Sequence, residues 1–396
     1  MANVLGPPVV GEDFFGREAE LAYIIRKLLA GNHILLTAPR RVGKTSFALK
    51  VLELIRKRGW EGVFVDVEGA QDELMAVQEI IKAIQRNKTL WQKVGKSVSD
   101  LLSRLNIEVK AGGFGSVKIG SSKAAQADQL LEQLGEILLS IENPFLLVVD
   151  ELPVFLLHLQ SQENGLERVR NFLHRLRAYR IAPQQADGKR KKLSWFFCGS
   201  IGLENYALVH SLSSTINDLL PYQIGAFKEE EAVAFLKVLS QQEDLPLTEE
   251  NIRYLIRKTG WPIPYYLRLI VEEVIKTFAG NGPITELQIE QAYAQAIRSN
   301  RSVLDLWVQR LRQQLTKEQF EKACQMLNQV AKAVPRTFDQ LKAAFVKVVQ
   351  YNIKLNDELA TVLNLLVNEG YLIFENETYA FRSPFVRDWW KLRNHL

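Results

Sequence analysis

Short apolar runs alternate with longer amphipathic segments in the first half of the chain. The runs are bounded by turn-forming residues, which is the pattern of strands buried on both faces of a sheet. The intervening segments carry apolar residues every three or four positions, as surface helices do. This alternation predicts an α/β fold with a parallel sheet that has helices on both faces. The predicted strands are residues 33–37, 62–67, 145–149, 195–198 and 223–227, and the predicted helices lie at 18–30, 44–58 and within 72–105.

The pattern changes after residue 227. From there to residue 299 the chain is helical throughout, and the remaining residues combine three helical patterns with a short hairpin and a terminal helix. Helices followed by a small hairpin are typical of a winged helix. A glycine-rich stretch between two alternating arms predicts another hairpin in the first half. The predicted domains are residues 1–227, with the hairpin as an insertion at about 107–120, a helical domain at 228–299 and a winged helix at 300–396.

The segment after the first predicted strand reads APRRVGKTS and opens a helix. This is the P-loop pattern in its usual context, with Ala38 in place of the first glycine. Backbone N–H groups and the positive end of the helix would bind phosphates, and Gly43 allows close approach. Lys44 can reach the β- and γ-phosphates, and the Thr45 hydroxyl can bind Mg²⁺. The predicted ATP-binding residues are Pro39, Arg40, Arg41, Val42, Gly43, Lys44, Thr45 and Ser46.

A second motif, FLLVVDEL, is an apolar strand that ends in two acids. Asp150 would belong to the Mg²⁺ shell, and Glu151 would orient or deprotonate the attacking water. An acid pair at this place is also common at helix N-termini, so alone it is weak evidence. Together with the P-loop it predicts a Walker B motif, with Lys44 and Glu151 as catalytic residues. The second acid favours hydrolysis over simple nucleotide binding.

A third segment, WFFCGS, is a strand that ends in small polar residues. In sheets of this type such a strand lies between the two motifs above. Ser200 could then donate a hydrogen bond to the γ-phosphate or contact the water. The alternative is a plain turn between a strand and a helix, formed by Gly199 and Ser200.

Composition narrows the class of protein. The 396 residues carry a formal net charge of +5, which is small for a protein that coats nucleic acid. The two cysteines, Cys198 and Cys324, give neither a disulfide framework nor zinc-ligand spacing. The N-terminus lacks a signal-peptide pattern, and no stretch is long and apolar enough to span a membrane. We therefore expect a cytoplasmic protein with no membrane partner.

Five segments occur in the order FFGREAEL, APRRVGKTS, VVDEL, FFCGSIG and TGWPIPYYL. This series resembles the AAA+-related STAND ATPases, specifically the archaeal-type ATPase group, over nearly the whole chain. The resemblance implies a five-stranded sheet, a helical lid and a C-terminal winged helix. It implies that Phe15, Gly16 and Arg17 pack near the adenine and that Pro262 of the lid closes over the nucleotide. Pro262 and Gly260 are also consistent with a simple helix break.

The arginines expected in such enzymes are harder to place. Arg268 is the nearest candidate for a sensor arginine in the lid. Arg177 and Arg180 end a predicted helix after the Walker B motif and could act as an arginine finger on a neighbour's γ-phosphate. The alternative is a solvated basic face that continues into residues 189–192.

Nucleic-acid binding is open at this stage. Residues 301–396 contain seven Lys and seven Arg against four Asp and six Glu, a weak excess for a phosphate-tracking surface. The presumed recognition helix, residues 356–370, contains no Lys or Arg, so we favour a protein-contact or self-inhibitory role. Other segments that could contact DNA are the hairpin with Lys110 and Lys118, the basic run at 188–192, and the aromatic group Phe385, Trp389 and Trp390, which could instead pack in the core.

These observations favour an ATP-hydrolysing molecular switch whose nucleotide state controls self-assembly or partner binding. The resemblance implies a homo-oligomer on ATP binding, and we also expect an unidentified protein partner. Because an arginine finger is not placed, turnover without a partner is expected to be slow. A DNA-loading ATPase of the initiator or transposition-regulator type is a variant. A static nucleotide-binding scaffold is the alternative from another class. A small-molecule kinase is less favoured, because the chain offers no obvious acceptor site.

Overall fold

The computed structural model describes residues 5–104, 109–110, 113–114, 123–181, 193–199, 202–278, 280, 282–332, 335–346 and 353–396. The chain forms two compact units. The first, called the sheet unit, comprises Arg17–Thr37 and Lys44–Ile224. The second, called the helical unit, comprises Met1–Gly16, Ala38–Gly43 and Gly225–Leu396.

The sheet unit is built on five parallel strands in the order β2-β5-β6-β1-β7, beside a small antiparallel pair, β3 and β4. Its strands are β1 (His33–Thr37), β2 (Glu61–Asp66), β3 (Val109–Lys110), β4 (Gly113–Phe114), β5 (Phe145–Asp150), β6 (Leu193–Cys198) and β7 (Leu219–Gln223). Its helices are α1 (Glu18–Leu29), α2 (Lys44–Arg56), α3 (Glu73–Arg86), α4 (Lys88–Arg104), α5 (Lys123–Ser140), α6 (Leu152–Gln160), α7 (Gly165–Ile181) and α8 (Leu203–Val209).

Alternation along the strands explains how helices cover both faces of this sheet. Successive side chains of a strand point to opposite faces, so an apolar run buries both. One face joins the core formed with α3 to α8, and it includes Leu35, Leu147, Trp195 and Phe197. The alternate residues are also buried, and they include Ile34, Leu146, Val148 and Phe196. The helix α2, which packs against β2, β5 and β6 and against α1, supplies the cover for this second face.

The fifth strand lies earlier than the sequence pattern predicted. The strand was predicted at residues 223–227, whereas β7 ends at Gln223 and, among the strands that the structure describes, pairs only with β1. Pro221 hides this strand in the sequence, because proline cannot donate to a ladder. An edge strand tolerates proline, since one of its sides has no neighbour.

The helical unit contains the remaining elements. Its three strands form an antiparallel sheet in the order β8-β10-β9. The helices are α9 (Glu229–Gln242), α10 (Glu249–Thr259), α11 (Pro264–Thr277), α12 (Glu286–Ser299), α13 (Arg301–Gln314), α14 (Lys317–Lys332), α15 (Phe338–Val346), α16 (Ile353–Asn368) and α17 (Pro384–Asn394), and the strands are β8 (Arg336–Thr337), β9 (Leu372–Glu375) and β10 (Thr378–Phe381).

The terminal helix α17 is anchored by its aromatic residues. Phe385, Trp389 and Trp390 are buried, and the Phe385 ring stacks on Tyr266 of α11 at 4.9 Å between centroids. These aromatic residues therefore pack in the core rather than on an exposed base-stacking surface.

Among the residues that the structure describes, no helix combines the length and the apolar composition that a membrane crossing requires.

Candidate nucleotide site

The loop Ala38–Gly43 joins β1 to α2. Arg41 and Gly43 have φ angles of 66° and 98°, both in the left-handed region. Left-handed residues are characteristic of loops whose backbone N–H groups converge on an anion, so these φ angles are consistent with an anion-binding nest. An added Cβ at Gly43 would meet no atom within 4 Å, so the glycine is required by its backbone conformation. The loop leads into α2 at Lys44, whose positive end also favours an anion.

Three predicted residues meet inside the sheet unit. The Thr45 hydroxyl donates a hydrogen bond of 2.7 Å to Oδ2 of Asp150, the last residue of β5. Lys44 is buried at the start of α2 and interacts with the charge of Asp150. Residues 105 positions apart in sequence are thus joined by a direct contact. Ser46, the next residue of α2, is also buried.

Asp150 is 2% exposed, and its carboxylate is surrounded by donors. Burial raises the pKa of Asp150, and the charge of Glu151 adds to the increase, while hydrogen bonds from Thr45 and Cys198 and the charge of Lys44 oppose it. A carboxylate and a hydroxyl oxygen are the hard ligands that Mg²⁺ prefers. In the described part of the chain no group of three His, Cys, Asp or Glu side chains forms a metal site. The residues fit a Mg²⁺ ion that takes its other ligands from phosphates and water.

Glu151 lies in an unusual backbone conformation. Its φ is 56°, in the left-handed region, and it forms the N-cap of α6. This conformation costs a residue with a side chain about 1 kcal/mol or more. Its backbone N–H donates to Oδ1 of Asp150 at 3.0 Å, so the two acids of the motif are held in one turn. Strain of this kind is concentrated at functional sites.

The end of β6 contacts the turn formed by Asp150 and Glu151, because β5 and β6 are neighbouring strands. The Cys198 thiol lies 3.1 Å from Oδ1 of Asp150. A Cβ at Gly199 would lie 2.6 Å from Cδ of Pro153 in α6, so only glycine fits there. In the sequence, Gly199 was identifiable only as a turn former, and no functional role was predicted for Cys198. Ser200, the predicted phosphate contact, lies outside the described residues.

Asp66 is a further acid that sequence analysis missed. It ends β2 and pairs in register with Asp150 on β5. Desolvation by the surrounding protein raises the pKa of Asp66, and the negative charges of Asp150, Glu68 and Glu151 add to this. In the sequence, Asp66 appears only as an aspartate at the end of an apolar strand. Its closeness to Asp150 can be seen only once the strand order is known.

Several residues expected near the adenine lie together in the helical unit. The Phe15 ring packs edge-on against Phe227 and Phe235, with centroids 6.0 and 5.4 Å away. A Cβ at Gly16 would lie 3.7 Å from the Phe227 ring. The Phe227 N–H donates to the Pro262 carbonyl at 3.1 Å. Residues from the N-terminus and the lid are thus brought to one aromatic cluster.

Two further residues predicted to lie near the nucleotide are the arginines Arg268 and Arg17. Arg268 is buried, and its guanidinium lies 5.3 Å from the centroid of the Phe235 ring. Burial lowers the pKa of Arg268, and the charge of Asp13 opposes the decrease. Arg17 is buried at the N-cap of α1 in the sheet unit, 3.6 Å from Glu20.

The phosphate-binding loop has its own contacts in the helical unit. The Arg41 guanidinium lies 4.6 Å from the centroid of the Tyr265 ring, at the start of α11. Pro39 is buried next to Gly370, where an added Cβ would lie 3.0 Å from the proline ring. Val42 is buried, and Arg40 is half-buried.

Two arginines were predicted as candidates for an arginine finger. One of them, Arg180, has a structural role in the fold instead. Arg180 is 1% exposed and donates to both carboxylate oxygens of Asp218, at 2.6 and 3.0 Å. A guanidinium directed into its own protein does not fit a role in a neighbour's site. Arg177 is partly exposed, 3.6 Å from the same carboxylate, and its role in a neighbour's site stays a prediction. The predicted basic run at 188–192 and Lys118 lie outside the described residues.

The sequence matches no protein-family model and no curated protein. Among solved structures, the chain is similar to the Walker-type ATPase of Pyrococcus abyssi, with 19% identity and a TM-score of 0.62, covering 99% of this chain and 100% of that one. It is also similar to the Aeropyrum pernix ORC2 protein, solved in ADPNP and ADP complexes, with 12% identity, a TM-score of 0.57 and 98% of each chain covered. The chain therefore shares the fold of these two proteins, and the predicted parallel sheet with helices on both faces, followed by a helical region, is confirmed.

Proposed function

We propose that this protein binds Mg·ATP at the end of β1 and hydrolyses it slowly. The contact of Thr45 with Asp150 carries the proposal, because the two motifs are useful only when they meet. The nest at Arg41 and Gly43 supports it by offering an anion site at the start of α2. The nucleotide-bound complexes of the ORC2 protein, which has this fold, are consistent with it.

Each residue has a defined chemical task in this proposal. The loop backbone and the Lys44 ammonium bind the β- and γ-phosphates. Thr45 and Asp150 would hold Mg²⁺, which neutralises phosphate charge. The Glu151 carboxylate holds the attacking water and accepts its proton, and Ser200 contacts the γ-phosphate or that water. With Arg180 paired internally, basal turnover is expected at about 10⁻² s⁻¹ or below.

The base is expected to sit beside the aromatic cluster of the helical unit. Phe15, Gly16 and Arg17 would contact the adenine from the N-terminus, and Pro262 would do so from the lid. The observation that supports this is the shared position of Phe15 and Pro262 next to Phe227. Because Arg268 adjoins the same cluster, it is the candidate for the sensor arginine of the lid.

Contacts of the loop within the helical unit support a nucleotide-controlled switch. Arg41 contacts Tyr265 of α11, and Pro39 contacts Gly370 between α16 and β9. A loop that rearranges around phosphates changes these contacts, so α11 and α16 sense the nucleotide. The output is self-assembly or the binding of a protein partner.

The C-terminal elements are interpreted as a winged helix with a protein-binding role. From α14 to β10 they follow in the order helix, strand, helix, helix, strand, strand, which is the order of that fold. The third helix, α16, carries Asp357 and Glu358 and has Lys354 as its one basic residue. Glu358 pairs with Lys322 of α14. Such a surface favours a protein over a DNA groove, and DNA loading is kept as the alternative outcome.

Lysine replacement tests the site directly. Lys44→Ala should weaken binding of ATP and ADP roughly 10- to 100-fold, because it removes a charged hydrogen bond to phosphate. Isothermal titration calorimetry measures this, with Lys57→Ala as the control, since that side chain is 66% exposed beyond α2. Unchanged affinity in Lys44→Ala would overturn the assignment of the site.

Glutamate replacement separates hydrolysis from binding. Glu151→Gln keeps the shape of the side chain but loses the base, so turnover should fall about 10²- to 10⁴-fold with ATP affinity retained. Single-turnover phosphate release is the measurement. Equal turnover in parent and variant would remove Glu151 as the base, and absent turnover in both would favour the static scaffold.

A further inference from the structure

The buried thiol at the end of β6 is directed at the metal-binding carboxylate. Cys198 is 1% exposed, and its Sγ lies 3.1 Å from Oδ1 of Asp150 and 3.9 Å from the Val149 carbonyl. The contact follows from the sheet, because β5 and β6 are parallel neighbours paired at Val149 and Phe197. The next residues of the two strands, Asp150 and Cys198, are therefore side by side.

The donors around Asp150 divide between its two oxygens. Oδ1 accepts hydrogen bonds from the Cys198 thiol at 3.1 Å and from the Glu151 backbone at 3.0 Å. Oδ2 accepts a hydrogen bond from the Thr45 hydroxyl at 2.7 Å. Thr45 and Oδ2 are the pair that the proposed Mg²⁺ site uses. The thiol and the backbone N–H thus fix Oδ1, the oxygen that the proposed Mg²⁺ site does not use.

A thiol suits this task better than a stronger donor. Thiol hydrogen bonds are weak, so the carboxylate is oriented while most of its negative charge stays available to a cation. The side chain also packs as a small apolar group in a fully buried place. Groups that orient a metal-binding carboxylate through hydrogen bonds commonly tune metal affinity.

We propose that Cys198 is a positioning residue that holds Asp150 with Oδ2 directed toward Thr45 for metal binding. The inference rests on the proposed nucleotide site and adds a determinant of its metal affinity. It assigns the thiol a role that acts through Asp150 and not through direct contact with the nucleotide.

The test compares four single variants of the full-length chain. Cys198→Ala and Cys198→Val remove the donor; alanine leaves a small cavity, whereas the larger valine leaves none, so an effect common to both is separated from a cavity effect. Cys198→Ser keeps a donor. Cys324→Ala is the control, since it replaces the other cysteine, which lies on α14 in the helical unit. Mn²⁺ binding in the presence of ADP is followed by electron paramagnetic resonance, and ADP affinity is measured separately with EDTA.

The proposal predicts that Ala and Val at position 198 both raise the Mn²⁺ dissociation constant about five- to tenfold. Serine should stay within about twofold of the parent by the same reasoning, and Cys324→Ala should match the parent. ADP affinity in EDTA should be equal in all, because the thiol acts only through the metal ligand. A parent-like Mn²⁺ affinity in the valine variant would overturn the inference alone. A parent chain that binds no ADP in either condition would instead overturn the proposed function.

Discussion

The guanidinium of Arg180 shows how one side chain can look catalytic in sequence and be structural in the fold. It lies inside the sheet unit, bound to Asp218 and to the Thr215 carbonyl. The Arg180 carbonyl contacts His33 Nε2, and His33 Nδ1 accepts a bond from the Trp195 N–H. These bonds connect α7 to β1 and β6. A helix rich in arginine gives no sign in sequence of which one is buried.

Removal of the partner of Arg180 should be costly. Asp218→Ala leaves a buried cation unpaired, so the free energy of unfolding should fall by about 3–5 kcal/mol. Urea denaturation measures it, with Arg175→Ala on the same helix as the control. Arg175 is 39% exposed and its ion pairs are 3.8 Å or longer, so its replacement should cost under about 1 kcal/mol. Equal effects of the two replacements would contradict the structural role of Arg180.

The same pair predicts a dependence on pH. Burial raises the pKa of Asp218, but the hydrogen bonds and the positive charge of Arg180, with smaller contributions from the backbone and His33, together outweigh it, and the pKa is lowered overall. A lowered pKa gives stability that is present above the unfolded value of about 3.9 and is lost as pH falls through the folded value. The stability difference between the parent and Asp218→Asn should therefore be constant near neutrality and shrink below about pH 4. Urea titrations between neutral and acidic pH measure it, and a difference that grows with acid would contradict the assignment.

At the scale of elements, the turn that follows β5 is in contact with the turn that follows β6. Gly199 faces Pro153 of α6 so closely that a Cβ would be 2.6 Å from Cδ of the ring. The close approach places β6 against the left-handed Glu151. This close contact depends on both Gly199 and Pro153. It can therefore be tested by replacing the two residues singly and together.

Gly199→Ala should lower the free energy of unfolding by about 1–3 kcal/mol, because the methyl group overlaps the proline ring. Pro153→Ala removes Cγ and Cδ, so the double variant should recover much of the loss. A double-mutant cycle by urea denaturation gives the coupling energy, expected at about 1 kcal/mol or more. If the effects of the two replacements were additive, the stability lost in Gly199→Ala would not arise from overlap with the ring of Pro153.

The elements that the sequence revealed best are those with one dominant signal. The buried runs of β1, β5 and β6 and the P-loop were recognisable because apolar strands and a phosphate loop are local patterns. β7 was misplaced because Pro221 and its edge position weaken the apolar pattern. Cys198 and Asp66 could not be recognised as site residues, because their positions depend on which strands are neighbours. Arg268 was a candidate from the sequence, but its contact with the Phe235 ring is visible only in the fold.

On the scale of the whole molecule, the fold alone leaves the output of the site open. The phosphate loop belongs to the same compact unit as α11 and α16. The contacts of Arg41 and Pro39 there give the nucleotide a route to the C-terminal elements. The slow hydrolysis proposed for this site would suit the timing of an assembly, since a bound state of that duration would outlast a partner's encounter.

Light scattering of the purified chain tests this output. The mass should stay near the 45.2 kDa of one chain with ADP and rise to a multiple with a non-hydrolysable ATP analogue. Lys44→Ala should remain a single chain with both at an analogue concentration that just saturates the parent, because its weaker binding leaves most of its sites empty there. Growth that requires duplex DNA would replace self-assembly by the DNA-loading variant and assign the C-terminal elements a nucleic-acid role. A single chain in every condition, with ATP binding intact, would contradict self-assembly and leave a separate protein as the receiver of the signal.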